Sequence, residues 1–151
     1  MVWVTLAPEL QAWCRQYARR LARAGVRNPA KLVRQRVTQR LGLPPNKRYT
    51  RVVELWVDPA DVFRPCADPA VDDRRCQLQL TAAQVDGIDD YTGFFTWLYY
   101  TTYSVNAAPW TRLGYTYDWG GRSKFGASEY ILQGSTPWER RSTRPLSDYC
   151  Q

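Results

Sequence analysis

The sequence predicts an α+β fold, in which an N-terminal basic helical hairpin packs on a C-terminal antiparallel sheet. Three observations predict it. Apolar residues recur at three- and four-residue steps through the first forty positions. Two-residue alternation, broken by glycine-bearing turns, dominates the last forty. No linker, internal repeat or low-complexity tract separates the two regions, so residues 1–151 read as a single domain. Helices that precede strands, rather than alternating with them, distinguish α+β from α/β. The 151 residues suffice for a core, and a hydrophobic fraction of 44% excludes global disorder.

The first helix is predicted over residues 8–24. Leu10, Trp13, Cys14, Tyr17 and Leu21 form its apolar stripe, Pro8 suits its first turn, and Gly25 stops it. Arg15, Arg19 and Arg23 line a second face. A second helix follows, with Asn28 as N-cap, Pro29 at its first position and Leu32, Val33, Val37 and Leu41 facing inward, before Gly42 and "LPPNK" end it. Arg36 and Arg40 lie one turn apart on it. "RVVELWV", residues 51–57, reads as a strand, and "DPADVF" as a short helical turn. "LTAAQVDGIDD" begins like a helix that Gly87 interrupts. Residues 90–104 are compatible with helix or strand; Asp89 or Asp90 as N-cap, with Phe94, Phe95, Leu98 and Tyr99 on one side, favours helix. Strands are predicted over 111–119, 126–133 and 137–144. Alternation puts Arg112, Gly114, Thr116 and Asp118 on one face of the first of these.

Charge is uneven. Residues 1–53 carry twelve Lys or Arg against one acid, Glu9, a balance of +11, and the remainder balances at −4. A basic front on a mildly acidic body points to a polyanion such as RNA, or to an acidic protein such as an immunity protein, as partner. The alternative is that these arginines only keep two helices solvated. No apolar run is long enough to span a membrane, and nothing suggests more than a monomer.

The four cysteines have no zinc spacing and histidine is absent, so no metal site is expected. Their even number fits two disulfides, Cys66–Cys76 across a short polar loop and Cys14–Cys150 joining the chain ends; the alternative is four buried thiols. Disulfides imply a secreted or periplasmic protein. "MVWVTLAPEL" does not read as a signal peptide, so export would need a removed leader or another route, including that of the tail of a larger secreted protein.

Without histidine, Ser–His–Asp and Cys–His nucleophile systems are excluded, and without GxxxxGK[ST] so is a P-loop. No cofactor is called for. What remains is "PWTRLGYTYDWGGRSKFGASEYIL", residues 109–132. Arg112, Tyr115, Tyr117, Lys124 and Glu129 form the candidate catalytic set. Glu129 would act as general base, Arg112 would stabilise a phosphate, and a Tyr would move a proton or stack on a base. Arg15, Arg19, Arg23, Arg36, Arg40, Arg122 and Ser128 are the candidate substrate-binding residues. The plainer alternative is a structural Arg112–Glu129 pair across adjacent strands.

The cassette "PWTRLGYTYDWG…GASEYIL", together with "VVELWVDPADVFRPC", resembles a recurring group of uncharacterised bacterial proteins over most of residues 50–150. In architecture the chain is similar to small bacterial toxin nucleases of the RelE and colicin type. The order Arg112, Ser128, Glu129 is also similar to that of ADP-ribosyltransferase toxins, where the Arg comes far earlier and the Glu much later. The basic front segment and the polar residues within the aromatic strands point to an exported toxin-like effector that binds RNA and cleaves it without metal, in keeping with the architectural resemblance to toxin nucleases. Two alternatives stand beside it. One is an NAD-consuming transferase or glycohydrolase with Glu129 against a ribose. The other is a non-enzymatic module for an acidic protein or polyanion.

Overall fold

The predicted helices form close to their expected bounds, although Leu32 of the second stripe and Tyr99 of the third are exposed rather than facing inward. The computed structural model describes residues 1–72, 76–80, 84–134 and 136–151. Among them the chain forms helices α1 (Ala7–Arg23), α2 (Pro29–Arg40), α3 (Tyr91–Tyr100) and the single turn α4 (Leu146–Tyr149). α1 and α2 end alike. Gly25 and Gly42 both take φ of 65°, which lets Val26 N–H reach Leu21 O at 3.1 Å and Leu43 N–H reach Thr38 O at 3.0 Å. These are the six-to-one bonds of a Schellman stop, which needs a residue free of Cβ strain at that point. Asn28 does precede α2 as cap, but in a left-handed conformation and without a side-chain capping bond. Asp90 caps α3 as expected, accepting from Gly93 N–H at 2.9 Å, and α3 runs on into a wider π-helical turn, Thr101–Val105.

Strands β1 (Val2–Val4), β2 (Arg51–Trp56), β3 (Val62–Phe63), β4 (Tyr115–Tyr117), β5 (Phe125–Ser128), β6 (Tyr130–Leu132) and β7 (Glu139–Pro145) are all paired antiparallel. The C-terminal strands do not form one continuous sheet. They divide among three, ordered β1-β6-β3, β2-β7 and β4-β5. β6 lies between partners from the first 63 residues, with Val2 and Val62 both opposite Leu132, and β7 pairs with β2, Arg51 opposite Pro145.

Two predicted strands are shorter than alternation suggests. Residues 111–119 yield only β4. Arg112 adopts φ of 62°, which no extended strand tolerates, and Thr111 Oγ1 accepts from Leu113 N–H and donates to Tyr115 O, closing a local turn. Residues 126–133 split at Glu129, whose N–H donates to Gly114 O at 2.9 Å while its neighbours on either side belong to different sheets. The start of "LTAAQVDGIDD" lies partly outside the described residues, since 81–83 are not among them.

Two apolar clusters hold the elements together. Leu10, Cys14, Val33 and Val37 pack on Leu146, Tyr149 and Cys150, and the Cys14–Cys150 disulfide locks that cluster across 136 residues of sequence. Phe63, Tyr91, Leu98, Trp110 and Ile131 form the second, beside the Cys66–Cys76 disulfide. α2 meets the β4-β5 sheet through Thr116, whose hydroxyl donates to Arg40 O at 2.6 Å and accepts from Ala127 N–H at 2.9 Å. A Cβ on Gly126 would run into both Arg40 O and Thr116 Oγ1, so this approach requires glycine. On the β2-β7 sheet, Glu54 is buried against Arg144 at 2.7 Å, and the Ser142 hydroxyl above all holds its carboxyl below the usual range.

Candidate functional site

The structure separates the predicted arginines into two kinds. Arg36 and Arg40 stand over the ring of Trp13 at 5.2 and 4.7 Å. Arg36 also grips Asp118 with two bonds of 2.8 and 2.6 Å, and Arg40 lies 3.5 Å from Glu9. Both are therefore engaged in fastening α2 to α1 and to the turn after β4, which removes them from the substrate-binding set. Ser128 leaves it too: its hydroxyl donates to Glu9 Oε2 at 2.5 Å, tying α1 to β5. Arg15 is half-buried, whereas Arg19, Arg23 and Arg122 are exposed.

The catalytic set is likewise divided. Arg112 is exposed on the loop before β4, its guanidinium 5.2 Å from the ring of Tyr99 and bonded to Tyr103. Among the described residues it makes no ion pair with Glu129 and does not line the cavity that Glu129 lines, so the structural Arg112–Glu129 pair is not formed. The left-handed turn at Arg112 is the cause, because it takes the side chain off the strand register that would set it opposite Glu129. Tyr115 packs on Phe125 and against Arg64. Arg64, 1% exposed, is the buried arginine of this region instead.

Glu129 and Tyr117 do come together. Both line a cavity of about 320 Å³ whose walls include Trp3, Trp110, Leu41 and Leu43. Lys124 stands 5.9 Å from the Tyr117 ring. Trp110 Nε1 donates to Glu129 Oε2 at 2.9 Å. Burial pushes the Glu129 carboxyl up to about 7, the indole bond opposing it in part. A buried carboxyl set near neutrality in a cleft is a candidate for proton transfer or ligand recognition.

A second concavity, of about 540 Å³, was not foreseen. Lys31 and Arg34 of α2 face Lys47 and Arg48 of the following loop across it, with Tyr49 and Trp119 completing the lining. No acid lines it. Trp119 is held by its indole N–H donating to Leu43 O at 3.2 Å, and it opens the turn that carries Arg122 and Lys124. Four cations interleaved with two aromatic rings are the elements of a nucleic-acid groove: charge for phosphates and faces for bases.

The chain matches no protein-family model, no curated protein and no solved structure. Among the described residues, no helix is long and apolar enough to cross a membrane.

Proposed function

We propose that the protein binds single-stranded RNA, holding its backbone along the groove of Lys31, Arg34, Lys47 and Arg48 and stacking bases on Tyr49 and Trp119. The observation that carries this reading is that no acid among the described residues lines the groove, in contrast to Arg36 and Arg40, whose charges are met by Asp118 and Glu9. The net charge of +7 would draw a polyanion toward it. The two disulfides support export to an oxidising compartment, as expected of a secreted or periplasmic effector. Fluorescence anisotropy with a labelled single-stranded RNA tests the reading. Replacing the four groove cations by Gln should weaken binding at least a hundredfold, while Arg19→Gln on α1 changes it little. Equal losses in both variants would refute a localised groove.

A second reading keeps cleavage. Glu129 near neutrality suits acceptance of a proton from a ribose 2′-OH, with Lys124 standing over Tyr117 of the same cavity as the cation for a phosphate. Metal-free cleavage of RNA in chelator, abolished by Glu129→Gln, would support it. Intact RNA after prolonged incubation would leave binding alone.

A further inference from the structure

The cavity at Glu129 is distinct from the cationic groove, and its polar groups are arranged for a particular ligand. We propose that it accepts a guanine base of the strand held in the groove, an inference that rests on the RNA-binding reading.

The acceptor is Glu129. Its Oε2 already takes the Trp110 indole N–H, and among the described residues Oε1 accepts no hydrogen bond and no cation pairs with the carboxylate. Close by in the cavity lining is Thr5, whose hydroxyl is buried and has no hydrogen-bond partner. A buried, unmatched hydroxyl is costly unless a ligand completes it. Most of the remaining lining is apolar. Trp3 and Trp110 meet edge to face at 5.9 Å, and Trp3, 43% exposed, stands at the rim. The volume of about 320 Å³ falls at the small end of ligand pockets.

Chemistry selects among the bases. A carboxylate is best met by two adjacent N–H donors. Guanine presents N1–H and N2–H side by side, with O6 next to them as an acceptor for a hydroxyl such as that of Thr5. Adenine and cytosine each set one amino group beside a ring nitrogen whose lone pair would face the carboxylate. Uracil sets its single N–H between two carbonyls. Against the ionised carboxylate, the form Glu129 takes above pH 7, the wrong bases therefore leave lone pair against lone pair, and a site built on buried polar groups rejects such ligands strongly. An organic cation would also satisfy Glu129, but the net charge of +7 disfavours its approach and favours a neutral head carried on phosphates.

Placement supports the same occupant. The connection after α2 serves both concavities: Leu41, Gly42 and Leu43 line the cavity, and residues 45–49 line the groove. Trp119, on the groove side, is bonded to the Leu43 carbonyl. One short loop thus stands between the backbone site and the base site.

Tryptophan fluorescence titrations at pH 8.5, where Glu129 is ionised, with the four nucleosides and separately with oligouridine, test the inference. Guanosine should bind at least tenfold more tightly than adenosine, cytidine or uridine. Glu129→Gln should remove that preference, and Thr5→Val should reduce it by a smaller factor, which keeps the test decisive should the first variant fold poorly. Equal affinity for all four nucleosides, or none for guanosine, overturns the base pocket, even if oligouridine still binds the groove. Guanosine binding with no affinity for any oligonucleotide would instead overturn the RNA reading and leave the pocket standing.

Discussion

Trp110 Nε1 and Glu129 Oε2 are joined at 2.9 Å, and this bond, rather than a cation, is what meets the buried carboxyl. Burial, which this bond only partly offsets, gives the carboxyl a pH dependence of known sign. Burial raises the folded-state pKa of Glu129 from 4.5 to about 7, so the folded state holds the proton more tightly than the unfolded chain. The associated stability is complete below pH 4.5 and is lost as pH rises through 7, a span worth about 3 kcal/mol. Glu54 acts oppositely: its lowered pKa gives stability that is lost as pH falls through the folded value. Urea midpoints for the wild type should therefore decline between pH 5 and 8, while Glu129→Gln stays level. Parallel curves would mean that the carboxyl does not titrate as described.

The Arg36–Asp118 pair is structural and should behave so. Asp118 is 2% exposed, and removing it strands a guanidinium over Trp13. Asp118→Ala should cost about 3 kcal/mol, in the range for breaking a buried pair. Thermal unfolding checks this. Arg48→Ala, by contrast, should leave the melting temperature unchanged and weaken RNA binding, and the opposite pattern would exchange the two roles.

Helix periodicity and glycine stops are local signals, which is why α1 and α2 could be read from residues 8–41. Strand partners are not local. Nothing in "MVWV" marks it as the neighbour of Tyr130–Leu132, and β7 finds β2 across almost ninety residues. Alternation alone places Arg112 on a strand, but the stretch turns left-handed at that residue, which only the backbone reveals. The groove residues were counted in the +11 of residues 1–53 but not located, since only tertiary folding sets "NKRY" against Lys31 and Arg34. The adjacency of two cations and a tyrosine after a proline pair was the available signal.

The Cys14–Cys150 bridge closes nearly the whole chain and should be the larger contributor of the two. Cys150→Ser should lower stability by about 2–5 kcal/mol. Calorimetry of that variant, beside Cys76→Ser, provides the check. A larger loss from the ten-residue Cys66–Cys76 loop would contradict the loop-length argument.

Gly126→Ala should be strongly destabilising, because the new methyl meets Arg40 O and Thr116 Oγ1 at the junction of α2 with β4 and β5. Hydrogen exchange at Ala127 N–H reads the effect directly: protection by the Thr116 hydroxyl should be lost in the variant and kept in the wild type.

The most direct test of the central claim is the salt dependence of single-stranded RNA binding. Four phosphate contacts in the groove predict a fall of log affinity against log salt with a slope of roughly −3. Replacing Lys47 and Arg48 together should reduce that slope by about 1.4, at two of four contacts. A slope near zero, or one that the double variant leaves unchanged, would contradict the assignment of Lys31, Arg34, Lys47 and Arg48 as the RNA-binding groove.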